Sequence, residues 1–393
     1  MAAYQISPNP NLSTITVNDT FAENWLEPFN NYGHIVINVP GRLVNHGLIN
    51  NYSNLINHGI LDNYGKLISR NINLESSSIL NNHGIITNFG WVIGAVDSVL
   101  NNYGTIDNQN TIGGAGSLYN YGVIDNDAYI DIFVSGLLVN NGTINHWGNF
   151  ENRGTLENHG NWNNLGTRYM PNVGEIINTG TISNFYALTN YVKVDNSGTI
   201  SEVFGDGING HYKQFTGETI NNGIIDVTTI EFQGGVLKGT GTLKGSVIIG
   251  TGATVIPGLS PGTLNIDGDL HSNGNYVFEI VGVNSGQYDV LDIDGNAFFT
   301  GGNFKFEFID GYLPSAGDHW DFLVADSLNG SDTVGFTFAG LGDGLGIDLH
   351  NEGGKISLTV ITAVPEPETY AMLLAGLGLM GFMAYRRKLK EAA

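Results

Sequence analysis

The residues predict an all-β parallel solenoid. Three observations carry this: a hexad whose fixed residues fall on alternate positions, a longer repeat of about 19 residues above it, and a composition hostile to helices. Among 393 residues there are 56 Gly and 10 Pro, with abundant Asn, Ile, Val, Thr and Tyr and little Lys or Glu. Gly and Asn are poor helix formers, whereas β-branched and aromatic side chains suit strands.

The hexad reads [Leu/Ile]-x-Asn-x-Gly-x. It runs through Leu43-Val-Asn45-His-Gly47, Leu55-Ile-Asn57-His-Gly59, Leu100-Asn-Asn102-Tyr-Gly104 and Leu118-Tyr-Asn120-Tyr-Gly122. Alternation of that kind predicts strands with one face buried. The best-formed glycines, Gly47, Gly65, Gly84, Gly104, Gly122, Gly142, Gly160, Gly180 and Gly198, are 18, 19, 20, 18, 20, 18, 20 and 18 residues apart. One such interval makes a coil bent at two or three corners, with like residues stacked ~4.8 Å apart along the axis. Leu43, Leu55, Ile106 and Ile124 are expected inside, with inward glycines leaving room near a corner. The asparagines suit either an interior ladder or a left-handed corner, and the pattern fits both. Roughly ten coils over residues 35–250 predict a rod about 50 Å long.

These hexads resemble the right-handed parallel β-helices of filamentous-haemagglutinin-type adhesins. Left-handed hexapeptide solenoids of the acyltransferase type lack the Asn-x-Gly core. Gly234-Gly-Val-Leu-Lys-Gly-Thr-Gly-Thr-Leu-Lys-Gly245, Pro257-Gly258-Leu-Ser-Pro261-Gly262 and Tyr288-Asp289-Val-Leu-Asp-Ile-Asp-Gly295 resemble the repeat that ends autotransporter passenger domains, although no membrane barrel follows. The resemblance implies a right-handed β-helix running into a β-rich cap. The organisation expected is an N-terminal cap at 1–34, the helix at 35–264, a cap at 265–360 and a tail at 361–393. Phe298, Phe299, Phe304, Phe306, Phe308, Trp320 and Phe322 are expected to close the hydrophobic end, which otherwise leaves an unpaired edge.

In the tail, Val364-Pro365-Glu366-Pro367 precedes a 16-residue apolar run from Tyr370 to Tyr385 and then Arg386, Arg387 and Lys388. The run is near the short limit for a single transmembrane helix, and the basic flank marks its cytoplasmic end. This order resembles the PEP-CTERM sorting signal. The resemblance implies cleavage near Pro365 to Pro367 by an exosortase-type sorting protease, an inner-membrane anchor before processing, and a final place at the cell surface or outside the cell, in organisms that make exopolysaccharide. The first residues, MAAYQISPNPNLSTITVNDTF, have no signal-peptide pattern. Export therefore predicts a leader upstream of this start.

Lys and Arg number 15 against 37 Asp and Glu, a formal charge of −22, and four of the basic residues fall in the last eight positions. Nucleic acid is excluded as a partner, because counterion release needs a basic surface. Without cysteine there is neither a disulfide framework nor a thiolate metal site. No cofactor and no metal is expected: the Asn-His-Gly histidines His46, His58, His83 and His159 form no ligand cluster, and Asp267-Gly268-Asp269 and Asp292-Ile-Asp294-Gly295 match no calcium loop. Asp125 and Asp127 fit a carboxylate pair of the kind glycosidases use. The basic residues are too scattered for a lyase, so the expectation is a non-enzymatic adhesive rod in a biofilm matrix, with a polysaccharide lyase or glycosidase as the alternative. No residue is expected to be catalytic. Finally, His46, Tyr64, His83, Tyr103, Tyr121 and His159 each precede a coil-marking glycine and predict an outward aromatic stripe. The stripe serves either coil stacking or contact with a glycan.

Overall fold

The computed structural model describes residues 4–7, 10–18, 21–25, 28–166, 169–183, 186–202, 209–363 and 367–391. One turn shows how the sequence builds the whole. Val99–Asn102, Thr105–Asn108 and Thr111–Gly114 are three short strands that make one coil, and Ser117–Asn120, Val123–Asn126 and Tyr129–Ile132 make the next. The two coils pair in parallel, with Leu100 on Leu118, Ile106 on Ile124 and Ile112 on Ile130. Within each strand the second and fourth residues are buried, which is the alternation read from the hexad. Repetition gives a three-sided rod with one sheet per side and a core of stacked aliphatic columns. Leu43, Leu55, Ile106 and Ile124 are all buried in it.

The first corner is closed by an amide ladder. At the end of the first sheet Asn24, Asn45, Asn63, Asn82, Asn102, Asn120, Asn140, Asn158, Asn178, Asn196 and Asn221 are fully buried. Each Nδ2 donates to the Oδ1 of the next at 2.7–2.8 Å. Burying an amide without a partner costs on the order of 1–3 kcal/mol, and here every turn supplies the partner of the turn before. The asparagines are thus interior ladder residues.

The coil-marking glycines are half-buried, and their function differs from the inward spacing expected of them. A Cβ on Gly65, Gly84, Gly104 or Gly122 would lie 2.0 Å from the carbonyl oxygen of the equivalent glycine one coil earlier. It is the close approach of successive backbones that requires glycine at this corner.

Parallel pairing continues through the Pro-Gly segment. Thr263–Asp267 pairs with Val290–Phe299, and Asn275–Ile280 with Asn303–Phe308. Buried Asp289 holds the turn at 258–262 by accepting the Gly262 N–H at 2.8 Å and the Glu279 N–H at 2.9 Å, while burial pushes its carboxyl up to about 7. Apart from isolated bridges at Gly239–Gly258 and Ile280–Tyr288, antiparallel pairing begins where Lys355–Thr362 joins His319–Asn329 and Leu345–Glu352. Phe299, Phe304, Phe306, Phe308, Trp320 and Phe322 are buried in this end of the rod, as expected. Phe298 is not: it points outward, half-exposed, and stacks on His271 at 4.8 Å, because adjacent strand residues face opposite sides.

The tail forms one helix, Pro367–Glu391, with its described side chains exposed. No helix among the described residues is long and apolar enough to cross a membrane. The physical reason lies in the run itself. Its 16 residues span about 24 Å as a helix against a hydrocarbon core of ~30 Å, and Gly376, Gly378 and Gly381 dilute its hydropathy.

Candidate functional site

The corner between the first and second sheets carries the aromatic stripe. Outward rings from successive coils lie directly over one another in the order Trp25, His46, Tyr64, His83, Tyr103, Tyr121. Their centroids are 4.2, 5.3, 4.8, 4.8 and 5.0 Å apart and their planes are inclined by only 6–14°. Trp25 extends the stack by one coil beyond the expected stripe. It was missed because Asn24-Trp25-Leu26 lacks the glycine that marks the other rungs. At the other end Asn141 interrupts the column, so His159 stands apart and its Nδ1 lies 2.7 Å from the Thr179 hydroxyl. His58 belongs to a different corner, following the strand Leu48–Asn57. Inside the stack each ring covers the face of its neighbour. What reaches solvent is ring edge.

A buried histidine completes the polar interior. At the second corner Asn88, Asn108 and Asn126 form a ladder at 2.6–2.7 Å, and His146 takes the next rung with Nδ1 3.2 Å from the Asn126 amide. Its Nε2, the Trp162 Nε1 and both amide atoms of Asn164 are buried without hydrogen-bond partners. Burial pulls the imidazole down to about 4, so it is neutral at physiological pH.

The carboxylates sort less tightly. Asp125 accepts from the Asn145 amide at 2.8 Å, while Asp127 lies exposed in the turn after the strand and not on it. Burial, reinforced by Asp127 and Asp125, raises the carboxyl of Asp107. Asp267, Asp292, Asp294 and Asp326 border a shallow groove on the second sheet. Among the described residues no three His, Asp or Glu side chains are placed to hold a metal ion. Cations are mostly committed: Arg42, Arg153, Lys193, Lys213, Lys238, Lys244, Lys305 and Lys355 each sit 2.5–3.5 Å from a carboxylate.

In the tail, Val364, Pro365 and Glu366 lie outside the described residues, and Pro367 opens the helix. Arg386 and Arg387 are exposed, with the Arg386 guanidinium over the Phe382 ring at 5.6 Å; the Lys388 side chain also lies outside the described residues. No curated protein matches the chain. Residues 363–388, by contrast, match the PEP-CTERM protein-sorting motif. The chain is therefore a β-solenoid rod whose C-terminal end carries a PEP-CTERM sorting motif, an exosortase substrate signal that implies an exported protein.

Proposed function

We propose that this is a non-enzymatic structural and adhesive rod of the cell surface or extracellular matrix, associated with exopolysaccharide in a biofilm. An exosortase-type protease cuts its tail near Pro365 to Pro367, and until then the tail holds the precursor at the inner membrane. The observation that carries the reading is the sorting motif at the end of a rigid, stacked rod. The ion-paired cations support a non-catalytic role, because a lyase needs a free base or charge neutraliser beside its substrate.

The test follows the tail of the chain, expressed behind an export leader, in a host with and without its sorting protease. With the protease, the chain should lose the residues after the Val-Pro-Glu-Pro segment and appear at the surface or in the medium. Without it, the uncut chain should sediment with membranes. Recovery of the intact chain in the cytosol of both hosts would overturn the assignment.

A further inference from the structure

The third sheet carries a feature unlike the stacked stripe. Its outward positions alternate large and small from coil to coil: Tyr129, then Asn149, then Tyr169, then Ala187, then His211. Tyr129 and Tyr169 are 50% and 61% exposed. Short Asn149 leaves an open hollow of about 460 Å³ between Tyr129 and Tyr169, and a second of about 470 Å³, over buried Ala187 and lined by Tyr186, runs from Tyr169 to His211. Each falls in the ~300–1,000 Å³ range of small-molecule sites. Both are lined by Tyr169, so the two hollows lie end to end as a trough along the rod with the Tyr169 ring between them.

The backbone contributes to the first hollow. The strands Asn149–Asn152 and Tyr169–Asn172 meet only at Asn152 and Asn172, where neighbouring coils pair along all four residues, and Pro171 has no N–H to give a ladder. Tyr129 has no ring neighbour among the described residues. Tyr169 meets Tyr186 edge to face at 5.4 Å, and Tyr186 meets His211 the same way at 5.8 Å. The charges beside the trough are already matched. Arg153 grips both oxygens of Asp131 at 2.7 Å, and Lys213 lies 2.9 Å from Glu231. Glu151 borders the first hollow, 3.7 Å from Arg153.

We propose that this trough is a carbohydrate-binding groove for an extended, neutral, β-1,4-linked glycan, with Tyr129 and Tyr169 as platforms for two sugars of like orientation. The proposal rests on the reading that the rod associates with a polysaccharide, and it places the contact on this face. Sugars pack C–H faces on aromatic rings, which requires ring area that is not already stacked, and their hydroxyls donate to carboxylates such as Glu151. Platforms two coils apart are ~9.6 Å apart at the strand spacing, close to the distance at which a flat β-1,4 chain repeats the same ring face. A peptide adding as a strand would lie across the rod axis, whereas the trough runs along it. With Arg153 and Lys213 tied to protein carboxylates, an anionic polymer finds no free cation here.

The experiment titrates the purified full-length chain with cellohexaose, laminarihexaose and hexagalacturonate. It compares wild type with Tyr129→Ala, with Tyr169→Ala and with Asn149→Trp, which fills the first hollow. Wild type should bind cellohexaose in preference to the bent and the anionic probes. Each substitution should weaken that binding about tenfold, with the melting temperature unchanged for Tyr129→Ala, whose ring has no ring neighbour among the described residues. Equal binding by wild type and all three variants would overturn the groove while leaving a glycan contact elsewhere. A wild type that binds no hexasaccharide, or prefers hexagalacturonate, would overturn the proposed ligand, and the sorting test is independent of either result.

Discussion

His146 shows what one side chain can do to a repeating interior. From Asn88 the second-corner ladder is amide to amide until this rung, where an imidazole keeps one hydrogen bond and leaves its Nε2 unpartnered. Its folded-state value is depressed to about 4, from 6.5. As pH falls, the unfolded chain therefore takes up the proton first. The stability that the neutral ring permits is fully present above about pH 6.5 and is lost progressively down to about pH 4, a loss of ~3 kcal/mol. His146→Asn should abolish that component, and denaturant unfolding between pH 7 and 4.5 should show a flatter pH dependence than wild type. An unchanged profile would mean that the ring is already hydrated in solution. Little of this was legible in the sequence, because Asn145-His146-Trp147 departs from the hexad and gives no sign that the histidine replaces a ladder amide. The first-corner asparagines were half-legible: their period was plain, but a ladder and a left-handed corner share that period.

At the scale of one element, the aromatic stack is the part of the surface best read in advance. Each ring from His46 to Tyr121 sits beside a glycine at coil spacing, and register alone then brings the rings together. Mutual coverage of their faces is the geometry of a fastening between coils, and it sets the expectation for a substitution. Replacing Tyr64, Tyr103 and Tyr121 together with Ser removes four ring contacts, at ~0.5–1 kcal/mol for each exposed pair, and should lower stability by about 2–4 kcal/mol. Thermal unfolding should shift down while binding to the host's exopolysaccharide is retained. Lost binding at unchanged stability would restore the stripe as a glycan platform. The trough on the third sheet was invisible by comparison. Tyr129 and Tyr169 sit in unlike local sequences, and only the coil register and the small Asn149 between them bring both to one hollow.

For the whole molecule, the glycine spacing revealed the stacking, because a solenoid repeats in space at the same interval at which it repeats in sequence. Where the interval lengthens past residue 257, the sequence no longer indicates where parallel pairing stops. The switch depends on Lys355–Thr362, which forms a local hairpin with Leu345–Glu352 but also pairs with His319–Asn329, a contact distant in sequence. The tail stands outside this architecture, with the described side chains of its helix exposed. Deleting residues 364–393 should therefore leave the melting temperature of the rod unchanged while ending its sedimentation with membranes. A destabilised truncation would show that the tail packs on the solenoid after all.

The direction of the Asn ladder has a consequence for the rod as an object. From Asn24 to Asn221 every interior amide donates toward the C-terminal end, so the amide dipoles add head to tail as peptide dipoles do in a helix. On the first-sheet surface the sense is reversed: Asn101 donates back to Asn81, and Asn81 back to Asp62. The rod is in this respect a vector sheathed by its opposite, with lone pairs of the inner column directed toward the end farthest from the sorting tail.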